Sequence, residues 1–398
     1  MPSDRTPRPR RLGVVTLVAK AGNVGGGERI AAEIAKGLDP SRYESVLCIT
    51  RPPSEREREV DGGFHRFIAE LEQAGVRPMV LTRHSRWRLG AWVPLYRLLR
   101  SGDFPILHSH MFGSNVSGAL LGRLAGIPVV IGHEHSWSFE GRRLRRLLDR
   151  HLIARFGDAH IAVSREDRRR MIEIEGIAPN KVVLVPNGIP ASSSTADMAT
   201  VRKELGLADD APVIGTVGVL RPEKAIEVLI EATAALRPQF PTIQLMVIGP
   251  GGERPRLEAL AMELGIGDAV RFLGRRLDVP DLLKSLDVAV CCSDREGFPL
   301  SVMEYMEAGA PVVATRVGGI PDMIENGVHG LLVPPRDPKQ LATAIAALLQ
   351  HPDRAAGLAE RARERRLDEL DAATMVRHIE ALYESLYARK AAPGGTLA

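Results

Sequence analysis

The chain has 398 residues, 44% of them hydrophobic and 26% charged, with a formal charge of +4 and a pI near 9.1. That length exceeds the roughly 250–300 residues at which one core stops growing, so two domains are expected, and the ordinary composition excludes a fibrous or extensively disordered chain. The weak basic excess suits phosphate-bearing small molecules or an anionic membrane surface and is too small to indicate nucleic acid.

The amino terminus, MPSDRTPRPRRL, is basic but leads only into the short apolar run GVVTLVA. That run is too short for a signal-peptide core or a membrane span of about 20 residues, so a soluble or peripheral cytoplasmic protein is expected. Apolar runs then alternate with amphipathic stretches. GVVTLVA is followed by GGERIAAEIAKGL, then come SVLCIT, VRPMVLT, PILHSH with SNVSGALLGRLAG, PVVIGHEH, and AHIAVS with EDRRRMIEIEG. Strand and helix in turn predict a parallel sheet covered on both faces, with ligands gathering at the carboxyl ends of its strands. This first domain is placed at residues 1–190, with VVLVPNGI closing it at an Asn-Gly turn that serves equally as an ordinary turn or as a hinge. The small polar stretch ASSSTADMAT, 191–200, reads as a linker. A second α/β series over 201–370 contains PVIGTVGVL, IQLMVIG, AVRFLG, VAVCCS, PVVAT and GLLVP as strands. An amphipathic helix over 371–390, expected to cross back and brace the first domain, and a tail over 391–398 end the chain.

Chemistry concentrates in SDREGFPLSVMEYMEAGAPVVAT. Glu296 falls in a loop after a strand and Glu304 about two turns into the following helix, and each carboxylate suits a pair of neighbouring sugar hydroxyls. The amides of Leu300 and Ser301, after Pro299, open that helix and suit phosphate oxygens. The same spacing is met by a loop acid and a solvated helix acid. Arg221 and Lys224, three residues apart after PVIGTVGVL, can converge on one diphosphate or stand as two exposed cations at a helix start. Gly25, Gly26 and Gly27 bring backbone amides and a helix amino end to one place, without the ending of a Walker loop or the spacing of a GxGxxG fingerprint. His108 with His110, and His133 with His135, alternate at strand period, so the members of each pair share a face. No acid or thiol has spacing to complete a metal site with them, and none is expected. Cys48, Cys291 and Cys292 make no CxxC pair, which fits a reducing compartment.

Together with VGVLRPEKAIEVLIEA before it and TRVGGIPDMIENGVHGLLVPPRD after it, the Glu296 segment resembles glycosyltransferase family 4. The resemblance runs from Gly13 to about Leu386 and keeps the family's motif order. It implies a GT-B fold, two Rossmann-like doubly wound α/β domains facing a central cleft, and a retaining transferase that takes a sugar from a nucleotide-diphosphate donor without a metal or other cofactor. Carried over, Glu296 faces the donor sugar, Glu304 the donor ribose, and Arg221 with Lys224 neutralise the departing diphosphate. Ala225 stands where many relatives carry Gly. Gly26, Gly27, Gly218, Gly249, Phe272, Leu273, Gly297, Phe298, Pro299, Leu300 and Ser301 would complete the donor pocket. His135 matches the family's histidine near the donor sugar, with His133 in reserve, and His110 and Asn115 would line the acceptor side. The acceptor is left open among a glycan, a lipid-linked glycan and a small metabolite. A nucleotide-sugar epimerase, a sugar phosphorylase and a non-catalytic sugar-nucleotide-binding subunit are the rival readings. In GRRLRRLLDRHLIARF, Leu144, Leu147, Leu148 and Leu152 form one stripe among arginines, which suits either a membrane-surface helix or a domain helix packed by its leucines.

Overall fold

A computed structural model describes residues 11–20, 25–51, 63–81, 89–135, 143–192, 194, 196–208 and 210–392. The basic amino terminus, the start of the Gly-rich loop at 22–24 and the tail beyond 392 lie outside the described residues. The chain forms two compact units, one made of residues 1–187 together with 372–398, the other of residues 188–371.

In the first unit the short apolar runs become β1 (Leu12–Lys20), β2 (Tyr43–Arg51), β3 (Arg77–Val80), β4 (Ile106–His110), β5 (Val129–His133), β6 (Ala159–Ala162) and β7 (Val182–Leu184). They form one parallel sheet in the order β3-β2-β1-β4-β5-β6-β7. β4 and β5 are buried along their whole length, as befits strands covered on both faces. One apolar layer joins Val15, Leu17, Leu95, Leu99 and Leu107. The other joins Val18, Leu47 and Ile49 to Ala31 and Ala35 of the helix Gly26–Gly37. The closing helix, Ala372–Ala391, also belongs here. Its buried stripe is Met375, Val376, Ile379, Tyr383 and Leu386, and Lys390 reaches Asp158 at 2.7 Å.

The second unit holds β8 (Val213–Val217), β9 (Gln244–Ile248), β10 (Val270–Gly274), β11 (Val288–Cys291), β12 (Val312–Thr315) and β13 (Leu331–Val333), parallel in the order β10-β9-β8-β11-β12-β13. Its core joins Ile214, Leu229, Leu245, Val290, Val313 and Ile345. The stretch 191–200 is bonded to this unit. The Ser192 amide donates to Glu307 at 3.0 Å, Ser194 Oγ to Asp281 at 2.5 Å, and the helix Met198–Glu204 begins within it.

Both sheets reverse direction of growth once, between β1 and β4 and between β8 and β11. In doubly wound sheets the crevice at such a switch point is where ligands bind, outside the carboxyl ends of the strands.

Candidate active site

At the switch point of the second unit, the loop after β8 carries Arg221 and Lys224, and the loop after β11 carries Ser293 to Pro299. Lys224 Nζ donates to Glu296 Oε1 at 2.6 Å, and Ser293 Oγ donates to the same oxygen at 2.6 Å. Glu296 Oε2 carries no bond among the described residues, which leaves it available to a ligand hydroxyl. Burial opposes the Lys224 charge, but Glu296, with Cys291 and Glu223 acting in the same sense, more than offsets it, and the ammonium's pKa is raised above its ordinary value. Arg221 is not drawn into this pair. Its side chain is 64% exposed and lies 3.8 Å from Glu223.

The loops are locked together by backbone. The Asp294 amide donates to the Glu223 carbonyl at 2.9 Å, and the Gly319 amide to the Gly297 carbonyl at 2.8 Å. Arg336 spans Asp294 and Glu227 across the surface. Two glycines permit this packing. Gly249 has φ +137°, and a Cβ there would sit 1.9 Å from the Gly218 carbonyl oxygen. Gly318 has φ +53°, with its Cβ 1.7 Å from the Glu296 carbonyl oxygen. Ala225 adopts φ +49° and ψ +39°, the left-handed region that favours glycine, which accounts for the Gly expected at this position.

Pro299 caps the helix Leu300–Ala308, so the amides of Leu300 and Ser301 stand at its open end, beside Glu296 in the preceding loop. Glu304 is the fifth residue of this helix, little more than one turn in rather than the two turns expected, because the helix starts immediately after Pro299. Tyr305 ties the helix to the sheet. Its hydroxyl accepts from the Val217 amide at 2.8 Å and donates to the Val290 carbonyl at 3.4 Å. Phe272 and Leu273 lie on the edge strand β10, where Phe272 packs against the core and under the Arg254 guanidinium.

At the switch point of the first unit, Gly25 caps the helix Gly26–Gly37. A Cβ on Gly27 would lie 3.1 Å from both the His135 ring and Met111 Sδ, so glycine lets the helix start rest on them. His135 is half-buried, whereas His110, His133 and Asn115 are buried and stand behind it. Asn115 Nδ2 donates to Glu134 Oε2 at 3.2 Å and holds the loop after β5. His110 Nδ1 and His135 Nε2 are 2.9 Å apart, and His108 Nδ1 lies 2.7 Å from the Tyr383 hydroxyl. Burial pushes the His135 imidazole down to about 3, the neighbouring Asn187 acting in the opposite sense, so the ring is neutral.

Residues absent from the sequence reading are Ser293, Gly318, Met111 and Tyr383. The paired glycines of TRVGGIPD were a signal for Gly318. Nothing local marked Tyr383, which meets His108 across 275 positions, or Met111, whose φ of +67° shows only in three dimensions.

The stripe in GRRLRRLLDRHLIARF is interrupted. A helix at Arg143–Leu148 passes into a π-turn at Asp149–Ile153, which shifts the face. Ile153 and Asp149 point inward, Leu148 and Leu152 are half-buried, and Leu144 and Leu147 are 70% and 53% exposed, so only half of the expected stripe packs inward. Among the described residues no helix is long and apolar enough to cross a membrane.

Two parallel Rossmann-like units with switch-point sites define the GT-B architecture, and solved structures share it. HepE of Anabaena, crystallised with UDP and glucose, superposes with a TM-score of 0.81 over 94% of this chain and 100% of its own, at 24% identity. Sucrose-phosphate synthase of Thermosynechococcus elongatus gives 0.77 over 95% and 100%, at 22% identity. The family model of group 1 glycosyl transferases matches residues 197–365, and that of glycosyltransferase family 4 matches residues 24–193. The D-inositol 3-phosphate glycosyltransferase of Acidothermus cellulolyticus is 31% identical over 86% of this chain and 83% of its own length. Its counterpart from Thermobispora bispora is 32% identical over 65% of each chain. The chain spans 60–65% of the length of the first three such relatives. It belongs to the group 1 glycosyltransferases of family 4.

Proposed function

We propose that the chain is a retaining, metal-independent hexosyltransferase that takes its sugar from a nucleoside-diphosphate donor held on the second unit. The observation that carries this reading is the Lys224–Glu296 pair at the switch point, beside the open helix end at Leu300 and Ser301. Lys224, with Arg221 swinging in from solvent, neutralises the departing diphosphate in place of a divalent ion, while the helix amides donate to its oxygens. Glu296 offers Oε2 to the donor sugar and Glu304 binds the donor ribose. No protein nucleophile is required. Leaving-group departure gives an oxocarbenium-like state, the acceptor attacks from the face the diphosphate leaves, and a donor phosphate oxygen takes the acceptor proton. On the first unit, His135 and the helix start at Gly26 and Gly27 form the acceptor-side surface, with His110, His133 and Asn115 positioning it from behind. The names of the relatives favour a phosphorylated polyol as acceptor, and a phosphate suits that helix start. Three free, buried cysteines suit a reducing cytoplasm, where such donors are available.

A lipid-linked acceptor is the second reading. Exposed Leu144 and Leu147 among Arg143 and Arg146 favour it by offering an apolar and basic face to an anionic membrane.

The test is nucleoside-diphosphate release from UDP-, GDP- and ADP-sugars in EDTA, with inositol phosphates or with anionic vesicles carrying lipid acceptors. One donor should be consumed, its diphosphate released and a glycoside formed, and Lys224→Ala and Glu296→Ala should each lose about 10²–10³-fold in kcat. Donor isomerisation without acceptor would indicate an epimerase. Donor-induced thermal stabilisation with no release would indicate a binding subunit.

A further inference from the structure

Between the sheet of the first unit and its closing helix lie three imidazoles, two of which, His110 and His133, also stand behind His135, and their unpartnered nitrogens have no role in the transfer reading. We propose that His108, His110 and His133 form a buried binding site for a divalent transition metal ion of the zinc class. The backbone brings them together. His108 and His110 alternate on β4 and so share a face, and His133 stands directly opposite His110 in the register of β5. All three are 0% exposed. One ligand nitrogen from each lies within 4.8 Å of the others, and the His108 and His133 rings lie parallel within 2°, so a bound ion requires the rings to turn until their nitrogens stand about 3.4 Å apart, the spacing set by zinc–nitrogen bonds of about 2.0–2.1 Å.

The hydrogen bonding selects which nitrogens are free. His108 Nδ1 is taken by the Tyr383 hydroxyl and His110 Nδ1 by His135. Nε2 of His108, Nε2 of His110 and both nitrogens of His133 have no partner among the described residues. A buried polar atom left without a partner forfeits its hydration with nothing in return, so four in one place call for an occupant. Metal-ligating histidines characteristically bind through one nitrogen while the other is held by an outer hydrogen bond, which is the arrangement of His108 and His110. Three imidazoles without a carboxylate exclude magnesium and calcium, which take oxygen ligands, and select zinc, cobalt, nickel or copper. In the sequence no acid or thiol is spaced to complete a metal site here. Three histidines with an open fourth position need neither. The site stands apart from the Lys224–Glu296 chemistry and does not rest on the transfer reading.

The test uses the full chain. Purified from zinc-supplemented cells, it should carry about one zinc per molecule. After stripping, cobalt(II) should restore a visible d–d spectrum, with X-ray absorption showing imidazole nitrogen and no sulfur in the first shell. His108→Phe and His133→Phe should each cut the metal content at least tenfold while far-ultraviolet circular dichroism is kept. His160→Asn, a buried histidine of the same sheet facing the other way, should leave it unchanged. If the histidine variants fail to fold, Tyr383→Phe keeps every imidazole, removes the outer bond and should weaken cobalt binding about 10–100-fold. A chain that retains no zinc and gives no cobalt spectrum overturns the proposal in favour of buried water. Metal retained by the His108→Phe/His133→Phe double variant, or a sulfur shell, overturns it by placing the ion elsewhere.

Discussion

Gly318 and Gly309 both have positive φ, +53° and +71°, but only Gly318 is crowded, with the Glu296 carbonyl oxygen 1.7 Å from where a Cβ would stand. Gly318→Ala must therefore displace the loop that holds Glu296, whereas Gly309→Ala meets open space and carries only the left-handed penalty of about 1–2 kcal/mol. Donor KM should rise at least about tenfold for Gly318→Ala and stay unchanged for Gly309→Ala; equal values would show that the loop is not set by this contact. His160 gives a second test at this scale. Burial, with Lys181 acting in the same direction, pushes its pKa from 6.5 down to about 3. The fold thus keeps neutral a ring that the unfolded chain protonates. Its contribution to stability is complete above pH 6.5 and is lost as pH falls toward 3, by up to about 1.4 kcal/mol per pH unit. In urea unfolding, the advantage of the native chain over His160→Asn should shrink between pH 7 and pH 4.5, and a constant difference would refute this account. Lys224 and Glu296 could be singled out in the sequence by side-chain chemistry, and the fold brings the two together. Other residues were illegible where geometry decides, because a positive φ at Met111 or a carbonyl against Gly318 leaves no trace in residue type.

A buried ion pair joins two helices of the second unit. Arg366, 0% exposed, places Nε 3.0 Å from Glu307 Oε2 and donates from its terminal nitrogen to the Ile189 carbonyl at 2.8 Å. Glu307 in turn accepts from the Ser192 amide. The helix Pro352–Glu369 is thereby fixed to the helix Leu300–Ala308, the element whose amino end faces the donor in the proposed reaction. Burial lowers the Arg366 pKa, with Glu307 and Asp371 opposing it. Arg366→Ala strands a buried carboxylate and should destabilise this unit by about 3–5 kcal/mol in chemical unfolding. The double variant Arg366→Leu/Glu307→Leu should recover much of that loss; additive effects would mean that the two side chains act independently. Every strand of both sheets except β7, which falls in the closing segment VVLVPNGI, could be read from its apolar run. The helix Pro352–Glu369 could not, because its face is mostly Ala among closely spaced arginines and glutamates, which leaves no hydrophobic period to detect.

The two-unit division follows the chain only up to Asp371, after which the closing helix belongs to the first unit again. Its sequence showed an amphipathic stripe, yet what that stripe meets is set by residues more than 270 positions away. Tyr383 lies edge-on to Tyr43 and bonds His108, the Asp39 amide donates to Glu380 at 2.8 Å, and Val376 packs where Gly37 lacks a side chain. Five large side chains of this helix are buried. At about 1.5–3 kcal/mol each they contribute on the order of 8–15 kcal/mol, comparable to the whole stability of a typical domain. A chain ending at Asp371 should therefore keep a folded second unit and lose the first. Hydrogen exchange on that truncated protein should find β1, β4 and β5 unprotected while β8, β11 and β12 exchange as slowly as in the full chain. Protection retained on β4 and β5 would mean that the first sheet is self-sufficient and the helix only covers it. Loss of protection in both units would mean that the second unit depends on the first for its own stability.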